Sequence, residues 1–326
     1  MAISSAVDAS AVARVVGIKT AFKDLRGGGI LFLPQRIAVV GQGNTSAVYD
    51  TTKRQVTSAT EAASLYGYGS PIHLAVRQLF PTNGDGVGTI PVTVYPLEDD
   101  GSGVAAAGDI TPSGVSSGTA SFRVRVNEID SEDFVVSDGD SVADITAAIT
   151  AAINAVLEMP VTATDNTTDV GLTAKWKGTS GNDLTVEVIA TSEDTTGVSY
   201  AITQPTGGLV NPDVDTALSQ VGNVWETMVL NCLDIADTTA LDAYQTFGDG
   251  RWGALVRKPL VVFTGNTATT VTAATTVSDA RKTDRVNSQL VAPGSDELPL
   301  VVAARQLARI AKVANNNPPQ DYGSQA

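Results

Sequence analysis

The chain holds a single cysteine, Cys232, and a single histidine, His73. A thiol nucleophile needs an activating imidazole or cationic neighbour, and structural zinc needs several sulfur or nitrogen ligands. With one residue of each kind, a disulfide framework, a multi-cysteine zinc site and nearly all histidine-based triads are excluded. Cys232, near the end of an apolar run, reads as a packing residue, and His73 as a packing or surface residue. Three glycine-bearing stretches could still do chemistry. In "LTAKWKGTSGND" (172–183) Lys175 and Lys177 precede Gly178 and Gly181, whereas a phosphate-gripping loop places its lysine after the second glycine. Asn182 and Asp183 stand where the lysine and hydroxyl belong, so the stretch reads as strand, turn, strand. In "QRIAVVGQGN" (35–44) Gly41 and Gly43 begin G-x-G-x-x-G, but Ser46 replaces the third glycine and no acidic partner follows a second strand. The Asp138-Gly139-Asp140 turn lacks the further ligands and closing glutamate of a calcium loop, and a turn plus a helix cap accounts for it. No catalytic residue, cofactor or metal is therefore expected. The Gly41–Gly43 turn leaves open one rival, an α/β nucleotide-binding protein or enzyme.

The elements that would position these residues fall into distinct stretches. Of 326 residues, 43% are hydrophobic but only 5% aromatic, so Val, Ile, Leu and Ala must fill the core. No run of 18 apolar residues exists, so no membrane insertion is expected, and "MAISSAVDASAVARVV" lacks the basic and apolar regions of a secretory signal. Net charge is −14, and its location is informative: Glu98 to Pro205 holds eighteen acidic and four basic residues, while the remainder is neutral. An acidic lobe on a neutral body faces solvent and repels phosphate, so nucleic acid is not an expected partner.

At the start, "VVGIKTAFKDL" puts Val16, Ile18, Thr20 and Phe22 on one face and lysines on the other, a half-buried strand followed by a hinge of Gly27, Gly28 and Gly29. Such a strand docks at home or pairs with another subunit's sheet edge. Ser58 with Glu61, and Ser70 before Pro71, open two helices, and "IPVTVYPL" (90–97) is a strand. In the acidic stretch, "TASFRVRVNE", "VTATD", "GLTAKWKG" and "DLTVEVIA" are β segments. Ser141 and Asp144 cap a helix with Val142, Ile145, Ile149, Ile153, Val156 and Leu157 in its apolar stripe. From about 211, helices alternate with strands. One helix starts at Asn211-Pro212, one runs from Asp237 through Tyr244, and one covers 299–314, with strands at 227–234, 259–265 and 288–294. On the last helix Arg305, Arg309 and Lys312 share one basic face, either solvated or a docking surface for an acidic partner.

The expected architecture is α/β. It has a parallel βαβ-type body from 34–97 and 206–314, an inserted α+β, β-rich acidic outer lobe at 98–205, an N-terminal strand arm and hinge at 1–33, and a linker at 315–326.

Taken in order, "LPQRIAVVGQGN", "VTSATEAASLYGYGSPIHLAVRQLF", "VTVYPLEDDGSGVAAAG" and "PVTATDNTTDVGLTAKWKGTSGNDLTVEV" resemble the contractile tail sheath proteins of Mu-like phages, over nearly the whole chain. That resemblance implies a structural, non-enzymatic subunit that polymerises with other copies of itself around a tail tube protein and contracts irreversibly to drive the tube through the host envelope. It also implies baseplate and tail terminator partners, a place in the virion tail, and assembly in the host bacterial cytoplasm. Subunits of such sheaths are linked by exchanged terminal strands, which would give Val16, Ile18, Thr20 and Phe22 the linking role and Gly27–Gly29 the hinge. The family continues into a C-terminal domain that carries the receiving sheet, so a domain beyond Ala326 is expected.

Overall fold

The computed structural model describes residues 35–84 and 86–315. The expected arm strand with Val16, Ile18, Thr20 and Phe22, its Gly27–Gly29 hinge, and all but the first residue of the 315–326 linker lie outside the described residues.

In chain order, β1 (Ile37–Gln42), β2 (Arg54–Val56), α1 (Ala59–Tyr66), α2 (Pro71–Leu79) and β3 (Val92–Leu97) come first. Then follow β4 (Ala105–Ser113), β5 (Ala120–Val126), β6 (Ile129–Asp130), β7 (Phe134–Val136), α3 (Val142–Ala155), β8 (Val161–Asp165), β9 (Val170–Lys177), β10 (Val186–Ala190) and β11 (Ser199–Thr206). The chain continues through α4 (Asp215–Val221), β12 (Met228–Asn231), α5 (Thr238–Trp252), β13 (Val261–Asn266), α6 (Val271–Ala280), β14 (Asn287–Val291) and α7 (Pro299–Ala314). The fold is mixed α/β with several sheets, as expected.

Six strands form a sheet in the order β14-β13-β12-β1-β3-β2, parallel throughout except for β2 on β3. β1 sits at its centre, with Ile37 opposite Met228 on one side and Val92 on the other. Every residue of β1 and β3 is buried, as a parallel sheet covered on both faces requires. One face is covered by α1, α2 and α7, and the other by α4 and α5. Residues 105–206 add two four-stranded antiparallel sheets, β11-β4-β9-β8 and β10-β5-β6 with β7 on β5. Their strands alternate between buried and exposed, leaving one face for polar side chains.

Local chemistry fixes the helix starts. Ser141 and Asp144 form a complete reciprocal capping box on α3. Ser58 caps α1 by accepting from the Glu61 amide, but the Glu61 carboxylate turns to the amide and hydroxyl of Thr57 instead. Ser70 caps α2 through the His73 amide, and Pro71 occupies its first turn.

Several boundaries differ from those expected. α3 ends at Ala155, so Leu157 leaves the apolar stripe and is exposed. The helix expected at Asn211-Pro212 begins at Asp215, where Asp213 accepts from the Asp215 amide. The helix after Asp237 continues past Tyr244 to Trp252. A Cβ on Gly248 would lie 2.5 Å from the Val286 methyls, so glycine lets α5 approach the residue just before β14.

Candidate functional site

In an open parallel sheet, ligands bind outside the carboxyl ends of the strands where the winding reverses. Here that point is β1, flanked by β3 and β12. The Gly41–Gly43 turn lies there, and its space is already taken. A Cβ on Gly41 would come within 2.8 Å of Cys232 Cβ, and one on Gly43 within 2.4 Å of the Tyr49 ring. The Gly43 amide donates to Tyr49 Oη at 3.2 Å, and Tyr49 donates to the Leu97 carbonyl at 2.8 Å. The Asn44 amide donates to the Tyr66 carbonyl at 2.7 Å. The next element is the short strand β2, so no helix N-terminus stands behind the turn to hold phosphate.

The antiparallel region closes the crevice further. Buried Gln42 donates through Nε2 to Asp99 at 2.5 Å and to the Lys177 carbonyl at 2.7 Å. The Thr45 amide donates to the Lys175 carbonyl at 2.8 Å. Next to this seam, Asn211 accepts from the Thr179 amide and donates to Asp237, both at 2.8 Å. "LTAKWKGTSGND" thus forms β9 and a single 3-10 turn (Thr179–Asp183). Its centre is the fully buried Trp176, which donates to Ser180 at 2.9 Å. A cavity of 630 Å³ remains beside the seam, with Asp100, Asp213, Asp215, Asp234 and Asp237 in its walls. Carboxylates in that number repel a phosphate ligand.

His73 is buried in the first turn of α2, and its Nδ1 accepts from the Gly69 amide at 3.1 Å. Burial lowers its pKa to about 4, against a smaller opposing pull from Glu158. Cys232 is buried in the same way, and burial pushes its thiol up to about 12. A neutral imidazole and a protonated thiol at physiological pH suit packing rather than nucleophilic chemistry. Among the described residues, no three His, Cys, Asp or Glu side chains are grouped as metal ligands.

Arg305, Arg309 and Lys312 lie on the exposed side of α7. Arg305 is held by Glu297 just before the helix, through Nη1 at 2.8 and 2.9 Å. The basic face therefore carries an acid that helical spacing alone does not show.

Two polar centres had no signal in the sequence. Glu226, fully buried at the amino ends of the strands, accepts from Tyr95 Oη at 2.9 Å and pairs with Arg36 at 3.3 Å. Asp183, half-buried beside Asp234, is pushed up to about 7 by burial first and by Asp234 second. Both depend on residues distant in sequence, so no local motif marks them.

No protein-family model matches the chain. Over 205 residues it is 27% identical to the Mu-like prophage FluMu tail sheath protein of Haemophilus influenzae, a match covering 62% of this chain and 40% of that relative. The match thus spans about two fifths of the length of the curated relative. The crystal structure of a sheath tail protein from Listeria innocua aligns with 86% of this chain and 56% of its own at 13% identity, with a TM-score of 0.33, too low to establish a shared fold. The resemblance carried by the sequence stretches and the curated match agree: the chain is similar to the tail sheath proteins of Mu-like phages.

Proposed function

We propose that this chain is a structural subunit of a contractile phage tail sheath. Copies polymerise around a tail tube, and the assembly shortens to drive the tube through the host envelope. The likeness over 205 residues to a prophage tail sheath protein carries this reading. The filled strand-end crevice supports it, because the site an α/β enzyme would use is occupied by the protein's own side chains. In this account 34–97 and 206–314 form the body, and 98–205 is an inserted lobe on the outer surface. Residues 1–33 are a linking arm, and 315–326 lead toward a further domain. Partners are other copies of the chain, the tube protein, the baseplate and the tail terminator. The assembled protein belongs to the virion tail and is built in the host bacterial cytoplasm.

High-speed pelleting tests the reading. The protein expressed from its complete natural reading frame is expected to sediment as a large assembly, and its double variant Ile18→Asp/Phe22→Asp to stay folded in the supernatant. A wild-type chain that never pellets would remove the reading; a variant that pellets normally would remove the arm's role. Equilibrium dialysis against nucleotides addresses the rival, which micromolar binding would revive.

A further inference from the structure

The loop after α5 is built in an unusual way. Leu255 is 100% exposed, and Trp252 and Val256 are 43% and 45% exposed beside it. Exposed apolar side chains in a slack loop need no explanation, but this loop is anchored. The Arg257 and Val256 amides donate to the Gly253 carbonyl at 2.9 and 3.1 Å, and Arg257 Nε donates to Ala254 at 2.7 Å. Buried Arg251 holds its base by donating to the Gly222 carbonyl at 2.8 Å and to the Val224 carbonyl. Arg285 lies over the Trp252 ring at 5.5 Å and is itself fixed by Asp249 at 2.7 Å. The result is a preorganised knob with an apolar tip and a guanidinium rim. Preorganisation lowers the entropy cost of binding, and a rigid exposed apolar tip serves no folding purpose.

The 630 Å³ cavity has complementary character and lies at the other end of the same helix. It is bounded by the first residues of α5, by Asp213, Asp215, Asp234 and Asp237, and by the exposed side chain of Val210. Val210, a β-branched residue held at the strained φ of 59, lines the cavity wall. α5 has fifteen residues, which separates knob from cavity by about 22 Å at the helical rise.

We infer that the Trp252–Arg257 knob of one copy seats in the acidic cavity of the next. The occupant is a second copy because this one chain presents both partners: an apolar tip with basic rim, and a cavity with an apolar wall and acidic rim. With one knob seated in one cavity, the contact is heterologous. Each copy keeps a free knob and a free cavity, so the contact propagates in a row instead of closing on a two-fold axis. The inference rests on the self-assembling reading above and deepens it by naming a surface.

Sedimentation velocity of the full chain over a range of concentrations tests it. Leu255→Asp/Arg257→Glu disables the knob, and Asp215→Lys/Ala236→Lys disables the cavity; each should weaken association by about tenfold or more. Unchanged melting curves confirm that both variants fold. Mixed one to one, they should form dimers and nothing larger, because each retains the surface the other lost. Variants that associate like wild type, a mixture that forms no dimer, or a wild-type chain monomeric at every concentration would each overturn the contact. The two readings fail differently. Tubes that persist in the knob variant remove the contact and leave the sheath; short rows without tubes leave the contact and remove the sheath.

Discussion

Between Ala105 and Thr206 every strand pair is antiparallel and the acid excess is concentrated; in the six-stranded sheet all pairs but one are parallel, and the flanking sequence is neutral. By charge and strand direction these are two regions. By packing they are one. A single apolar cluster runs from Ile37, Ile72 and Leu307 of the body through Phe122, Ile149 and Trp176 of the lobe. Across the boundary Arg77 reaches Glu158 at 2.5 Å, and Asn127 donates to the Asp296 carbonyl at 2.7 Å. Charge patterning describes what faces water, whereas core membership follows the apolar face of each element, and the two need not share a border. A lobe joined in this way would not be removable without exposing the apolar cover of α2 and α7. That differs from a lobe carried on a flexible linker, which could be deleted at little cost.

The strongest test of one shared core is to weaken each region in turn. Trp176→Ala should cost about 4 kcal/mol and Ile72→Ala about 3 kcal/mol. In urea, circular dichroism should show both variants losing the whole fold in one transition; a separate early transition for Trp176→Ala would make the lobe an independent domain. Glu226→Ala should cost about 3 kcal/mol, because it strands Tyr95 Oη and the Arg36 guanidinium. That centre lies at the amino ends of the body strands, so its loss should also lower the single transition.

His73 gives a pH-dependent test near the seam, since its Nε2 faces Glu158 at 4.0 Å. Its folded pKa of about 4 lies below the ordinary 6.5, so the unfolded chain takes up the proton first as pH falls. Its contribution is full above pH ~6.5 and is lost as pH drops toward about 4. From pH 7 to 5 the loss should be about 2 kcal/mol, and His73→Asn should flatten that part of the stability curve. A variant with the wild-type slope would show that His73 is not buried neutral. The smallest effect belongs to the Arg77–Glu158 pair. A double-mutant cycle there should give a coupling of about 1 kcal/mol, and zero would mean that this ion pair adds nothing to the seam's other contacts.

Much of this was legible in the sequence where pattern and cap coincide. β5 and β9 show clean alternation, and α3 has its capping box and stripe. β4 and β11 escaped notice because "AAAGDITPS" and "SYAITQPT" contain glycine, proline and few large apolar residues. They pair because Gly108 permits close approach to the Thr203 carbonyl, and Pro205 sits in an edge strand that needs no donor there. α6, "VTAATTVSDA", is rich in β-branched residues and poor in apolar periodicity; its Thr270 cap holds a helix that buries only Ala274. The glycine turn at 41–43 showed its weakness as a dinucleotide motif in the missing third glycine. That Tyr49 and Cys232 fill it is a long-range fact that no local pattern carries. The same holds for the seam and the anchored knob, since their partners come from elements far apart in the chain.

The central claim is that this chain builds a sheath. Negative-stain electron microscopy of the protein expressed from its complete natural reading frame tests it most directly. Hollow tubes or stacked rings are the predicted result; monodisperse single particles at every concentration and salt would contradict the claim.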